Sequence, residues 1–120
     1  MIDFFKTVEC IIEQHSEYKK EAYPFVMSAL HYSSSKFNPP RHLSGDELCW
    51  GIRDYALEQF GVLAKTVFEY WGITTTLDFG KIVYYMIDAK LMSKTDEDKL
   101  EDFNKVYSFD KSFSKIEYEI

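Results

Sequence analysis

Apolar residues recur every three or four positions along most of the chain, the spacing of helices that bury one face. This pattern predicts helices over about 2–14, 19–34, 62–71 and 77–91, and another between Ser44 and Gly61. Ser44 and Glu47 form a capping box, and Thr75 with Asp78 gives a second helix-start signal. A last helix is expected from Thr95. The sequence therefore predicts a mainly α, compact single-domain bundle of about five to six helices over residues 1–120.

The segment 82–87 is apolar on nearly every side, which places its helix at the centre of the predicted core. A buried strand is the competing interpretation, but the capping signal and the length of the pattern favour a helix. Gly51 and Gly80 fall inside predicted helices, where each costs about 1 kcal/mol relative to alanine. We therefore expect another element to cross close to each glycine.

Two segments lack the helical pattern. Residues 33–43 contain three serines and the pair Pro39-Pro40, which is typical of a loop. Residues 106–120 alternate polar and apolar positions at 106–109 and 115–120, the period of a strand. This pattern predicts a short C-terminal β-hairpin or an extended tail.

Charge and cysteine content limit the classes of partner and the compartment. The chain has 20 acidic and 14 basic residues, a net charge of −6, so it lacks the positive field that nucleic acid or an anionic membrane requires. The longest apolar run, 82–87, is far shorter than the roughly 20 residues that span a bilayer. No secretory signal precedes Cys10. We expect a cytoplasmic protein in which Cys10 and Cys49 are buried, free thiols.

No recognisable set of catalytic or metal-binding residues occurs in the sequence. His15, His31 and His42 are 16 and 11 residues apart, which matches no zinc motif. The acidic run 96–102 lacks the glycine and glutamate that an EF-hand loop needs at its sixth and twelfth positions. The sequence thus predicts no catalytic residue, no metal and no cofactor, and favours a non-enzymatic role.

One cluster of polar and aromatic residues is a candidate binding site. It contains both arginines of the chain and consists of Arg41, His42, Glu47, Trp50 and Arg53. A partly buried Arg53 needs a carboxylate partner, so one interpretation is a salt bridge to Asp78, Glu101 or Asp102 that ties two helices together. In the other interpretation, Arg41, His42 and Arg53 bind a small anion or an acidic side chain of a partner.

Many short segments, in order over roughly residues 18 to 113, match one family pattern. The segments include Glu21-Ala22-Tyr23, His42 with Ser44-Gly45, Gly51-Ile52-Arg53, Trp71-Gly72-Ile73, Asp78-Phe79-Gly80 and Asp102-Phe103. In these the chain resembles an uncharacterised family of short bacterial proteins, largely restricted to the planctomycete and verrucomicrobial group. Lys19 departs from the pattern, since the family usually has proline there. The resemblance implies a single domain and a bacterial cytosolic origin, and it supplies no catalytic residue.

Three functions follow as hypotheses. Aromatic residues make up 18% of the chain, more than a small interior readily buries, which favours a protein-interaction module that binds a protein partner or itself. The alternative is a small-anion or ligand-binding protein, or an unrecognised enzyme, with a pocket near Arg41, His42 and Arg53. A transcriptional regulator is a weaker alternative, because the net charge opposes DNA binding.

Overall fold

The computed structural model describes residues 3–113 of the chain. These residues form a mainly α, single-domain bundle, as the sequence predicts, and contain no strand. The helices are α1 (Phe4–Gln14), α2 (Ala22–Ser34), α3 (Gly45–Phe60), α4 (Ala64–Tyr70), α5 (Thr76–Asp88) and the single turn α6 (Phe109–Ser112). Two 3-10 turns lie at Gly61–Leu63 and Leu100–Phe103. Within the part of the chain that the structure describes, no helix is both long and apolar enough to cross a membrane.

Both predicted helix-start signals are confirmed. At α3, Ser44 Oγ accepts a hydrogen bond from the Glu47 amide, and Glu47 Oε1 accepts one from the Ser44 amide at 3.0 Å. At α5, Asp78 Oδ2 accepts from the amides of Thr74 and Thr75 at 2.9 and 3.1 Å. These side chains satisfy amides at and just before the first turn that have no partner within the helix, and so they fix where each helix begins.

Helix α5 lies at the centre of the core, where it packs against α2 and against the Leu100–Phe103 turn. Its residues Ile82 and Met86 are fully buried, and Val83 is 5% exposed. The segment 82–87 is therefore helical and largely internal, and the strand alternative is excluded. Other large, fully buried side chains come from α2, α3, α4, the α4–α5 connection and the first turn of α5: Tyr23, Ile52, Phe68, Ile73 and Phe79.

Gly51 and Gly80 both lie at close crossings, as predicted. A Cβ at Gly80 would lie 2.7 Å from Cγ of Phe103, whose carbonyl accepts a 2.6 Å hydrogen bond from Thr76 Oγ1. A Cβ at Gly51 would lie 2.7 Å from Cβ of Ser33 on α2. Both distances are shorter than real Cβ contacts, so a side chain at either position requires its neighbour to move.

The helix expected from Thr95 is not formed, and this prediction was wrong. The chain instead makes turns that end in the Leu100–Phe103 turn. The Asp98 carboxylate accepts from the Thr95 amide at 2.8 Å, and the Asp102 carboxylate accepts from the Lys99 amide at 3.1 Å. Aspartates that cap successive turns in this way compete with a continuous helix.

The C-terminal prediction of a hairpin or extended tail over 106–120 was wrong for residues 106–113. This segment contains the helical turn α6, and Phe109 and Phe113 are buried. Their rings lie 5.8 and 5.5 Å from the ring of Phe68. Two side chains four residues apart share one face of a helix, so a helical turn places both rings against Phe68. Residues 114–120 lie outside the described part.

The predicted loop 33–43 is displaced slightly, since α2 continues to Ser34 and α3 begins at Gly45.

Candidate functional site

Arg41 and Glu47 form a two-bond ion pair in front of α3. Arg41 Nη2 lies 2.6 Å from Glu47 Oε2, and Nη1 lies 3.2 Å from Oε1. The guanidinium also lies 4.1 Å from the ring centre of Phe37. Hydrogen bonds from Arg41 and from the Ser44 amide lower the pKa of Glu47 to about 2. Both side chains are well exposed, so the pair joins the loop to the start of α3 at the surface.

His42 turns away from this pair and towards the segment after α5. Its Nε2 lies 2.7 Å from Asp98 Oδ2. Burial raises the pKa of Asp98, but the hydrogen bonds from the Thr95 amide and from His42 outweigh it and leave the pKa below its ordinary value. The predicted neighbours Arg41 and His42 therefore have different carboxylate partners.

A small cavity lies beside His42, enclosed by α2, α3, α5 and the segment that follows α5. Its volume is about 70 Å³. The apolar lining residues are Leu30, Leu43, Leu48, Val83, Ile87 and Phe103, with Met92 at one side. The polar and charged lining residues are His42, Ser44, Tyr84, Ser93, Lys94, Asp98, Lys99 and Asp102. The hydroxyl of Tyr84 is buried and has no hydrogen-bond partner among the described residues.

Trp50 and Arg53 do not line this cavity. The Trp50 ring, 43% exposed, lies 4.7 Å from the ring of Tyr107, whose hydroxyl donates to the Cys49 carbonyl. Arg53 Nη1 lies 3.3 Å from Asp54 Oδ1, and its guanidinium is 5.6 Å from the Trp50 ring. The structure thus divides the predicted cluster into two groups.

The predicted salt bridge from Arg53 to Asp78, Glu101 or Asp102 was wrong. The Asp78 carboxylate accepts from two amides and from the Tyr18 hydroxyl, and Asp102 accepts from the Lys99 amide. These bonds hold both carboxylates near their own turns. Arg53 instead pairs with the adjacent Asp54 and keeps a buried Nε without a partner in the described residues.

Sequence reasoning missed a set of tyrosine–carboxylate contacts between the α1–α2 connection and α5. The Tyr18 hydroxyl donates to Asp78, and the Tyr85 hydroxyl donates to Glu17. The His15 ring stacks on Tyr85 at 4.0 Å. Burial, together with the bond to Glu17, raises the pKa of Tyr85 to about 12, so this hydroxyl remains a donor. The partners are 60 and 68 residues apart, and no local pattern could have revealed them.

The two cysteines differ. Cys49 is fully buried, as predicted, and burial raises its pKa to about 12. Cys10 is exposed, so the prediction of a buried thiol was wrong there. Val8 and Ile11 face the core, and Cys10 follows Val8 by two positions, which turns it to the opposite side of α1. Both are free thiols.

The outer surface of α1 forms one wall of a groove whose other wall is the start of α2. Phe5 lies at one end and Tyr70 at the other, with 68% and 72% of their surfaces exposed. Two adjoining depressions make up the groove, and Glu9, Lys20 and Glu21 line both of them. The remaining lining residues are Val8 and Pro24 near Phe5, and Ile12, Glu13, Ser16, Tyr18 and Lys19 near Tyr70.

Among residues 3–113, no three His, Cys, Asp or Glu side chains are grouped closely enough to hold a metal ion. Comparisons with protein-family models, with curated proteins and with solved structures found no match to this chain. Membership of the bacterial family that the sequence resembles therefore stays a prediction.

Proposed function

We propose that the protein is a non-enzymatic interaction module of the bacterial cytosol that pairs with a second copy of itself through the groove along α1. The observation that carries this proposal is the pair of exposed rings, Phe5 and Tyr70, at the two ends of a groove that carries charges of both signs. The exposed thiol of Cys10 suits a reducing compartment.

The rings supply the apolar part of such a contact. Phe5 and Tyr70 expose more than two thirds of their surfaces, whereas most aromatic side chains of the described residues pack in or against the core. Aromatic residues contribute much of the binding energy at protein interfaces because they bury a large area with few rotatable bonds. Pro24 adds apolar surface beside Phe5 at one end of the groove.

The charges favour a second copy over an unrelated partner. The groove carries Glu9, Glu13 and Glu21 together with Lys19 and Lys20. None of the ion pairs formed within residues 3–113 uses these five side chains. In a twofold pair the same surface meets itself, so lysines of one copy can lie opposite glutamates of the other. A surface with both signs is complementary to itself in this arrangement.

Sedimentation equilibrium over a range of concentrations tests the proposal. We expect a wild-type monomer–dimer equilibrium and a predominantly monomeric Phe5→Glu variant. Leu63→Glu is the matched control, because Leu63 is 59% exposed and lies outside the groove; it should dimerise like wild type. A wild-type protein that stays monomeric up to about 1 mM, where an association of about 4 kcal/mol is already detectable, would overturn the proposal.

Charge reversal identifies the surface. Lys19→Glu/Lys20→Glu and Glu9→Lys/Glu13→Lys should each weaken self-association, because each places like charges opposite one another across the twofold axis. An equimolar mixture of the two variants should form a heterodimer. If the mixture associates no better than either variant alone, the α1 groove is not the contact surface.

A further inference from the structure

We propose that the cavity beside His42 binds a small free carboxylate with an apolar tail of about three carbons, such as butyrate. The site is separate from the α1 groove, since the two share no lining residue. The inference therefore stands or falls independently of the proposed self-association.

The size of the cavity sets the length of the tail. Its volume is about 70 Å³. An apolar cavity of about 150 Å³ in another protein holds benzene, which has six carbons, so half that volume accommodates about three. Leucine, valine and phenylalanine side chains form the inner wall, so the tail replaces water against an apolar surface.

The polar groups around the cavity favour an acceptor as the head group. The Tyr84 hydroxyl is buried without a partner among the described residues. Burial and the nearby acids Asp98, Asp102 and Glu101 raise its pKa, so it remains a donor. The ammonium groups of Lys94 and Lys99 form none of the ion pairs found within residues 3–113. A carboxylate has acceptors only, and it matches these donors.

Each of the two aspartates at the rim already accepts a hydrogen bond through one of its carboxylate oxygens. Asp98 accepts from His42 and from the Thr95 amide, and Asp102 accepts from the Lys99 amide. Their bonds offset part of the negative charge that an anion would meet there. The Tyr84 hydroxyl and the Lys99 ammonium group can still donate, and Lys94, which donates to the Thr95 carbonyl at 3.4 Å, adds a positive charge. These groups suit an anion better than an amine of the same length.

Calorimetric titration with a series of straight-chain carboxylates tests the length of apolar tail that the cavity accepts. From acetate to butyrate, each added methylene should tighten binding about fourfold, the effect of burying one CH₂ group. Hexanoate should bind no tighter than butyrate, because the cavity is then full. Val83→Ile, which adds one carbon to the lining, should shift the preferred chain length downwards. Affinity that is independent of chain length would overturn the proposal.

The head group and the location are tested separately. Butyrate should bind better than butyramide, and butyramide better than butylamine. Tyr84→Phe and Lys94→Gln/Lys99→Gln should each weaken butyrate binding roughly tenfold, whereas Lys6→Gln on α1 should leave it unchanged. Amide chemical shifts should move around His42, Tyr84 and Met92. Equal binding by all three head groups, unchanged binding in both cavity variants, or binding only by a peptide with a free C-terminal carboxylate would contradict the inference.

Discussion

Two of the neighbours of helix α5 hold it in different ways. On one side the Phe103 ring presses on Gly80, and the Thr76 hydroxyl binds the Phe103 carbonyl within the buried interior. On the other side the α1–α2 connection is joined to α5 by hydrogen bonds from Tyr18 and Tyr85 to carboxylates. The first contact is close packing of buried groups, and the second is a set of polar pairs that leaves rings of the outer surface exposed. Close packing and polar pairing thus hold α5 at two different contacts, one with Phe103 and one with the α1–α2 connection.

The largest effect on stability is expected from removal of the buried Phe103 ring. Phe103→Ala should lower the free energy of unfolding by about 3–5 kcal/mol, because it removes a ring that is 4% exposed and leaves a void over α5. Phe5→Ala, on the open side, should change it by no more than about 0.5 kcal/mol. Urea denaturation at a concentration where the protein is monomeric measures both. Equal losses in the two variants would contradict the division between the sides.

A smaller effect is expected from adding one methyl group at the glycine crossing. Gly80→Ala should destabilise the protein by about 1–3 kcal/mol, since the new Cβ meets the Phe103 ring at 2.7 Å. In a Phe103→Ala background the same change should be neutral or stabilise by up to about 1 kcal/mol, because alanine favours a helix and the clash is gone. An additive double mutant would show that the crossing is not the cause.

The smallest effect is expected on stability at low pH, and it compares the carboxylate of Glu47 at the start of α3 with that of Glu17 in the α1–α2 connection. The pKa of Glu47 in the folded protein is lowered to about 2 by Arg41, and that of Glu17 is lowered by the Tyr85 hydroxyl. A lowered folded-state pKa stabilises the protein above the ordinary value near 4.5 and loses this contribution as the pH falls.

Glu47→Gln should therefore flatten the fall in urea midpoint between about pH 4.5 and 2 more than Glu17→Gln does. Both contributions are modest, because the groups lie near solvent. Urea midpoints at several pH values measure the slopes. A steeper dependence on Glu17 than on Glu47 would reverse this part of the comparison.

Local signals predicted much of the fold. The capping residues Ser44 and Asp78 fixed two helix starts correctly, because a cap involves only neighbours within four residues. The cost of glycine in a helix correctly indicated the crossings at Gly51 and Gly80. The segment from Thr95 was predicted wrongly, since its acids also suit a helix start and the sequence does not show that they cap separate turns.

The candidate site was less predictable, because its parts come together only in three dimensions. His42 was found from the sequence, but its partner Asp98 is 56 residues away and Tyr84 lies on another helix. Trp50 and Arg53 are close to His42 in sequence and yet belong to a different surface with Tyr107. The sequence predicted one site for His42, Trp50 and Arg53 because they are close along the chain. In the structure, His42 in the loop before α3 faces Asp98, whereas the other two lie on a different surface.

The two tryptophans provide natural spectroscopic probes of separate parts of the molecule. Trp50 stands half in solvent against Tyr107, so its emission wavelength should report whether the segment leading to α6 is seated on α3. Trp71 lies among the rings of Phe25, Phe60 and Phe68 and should report the integrity of that aromatic cluster. Single-tryptophan variants would thus follow the undocking of the C-terminal segment and the melting of the interior as two distinct optical signals, without an added dye.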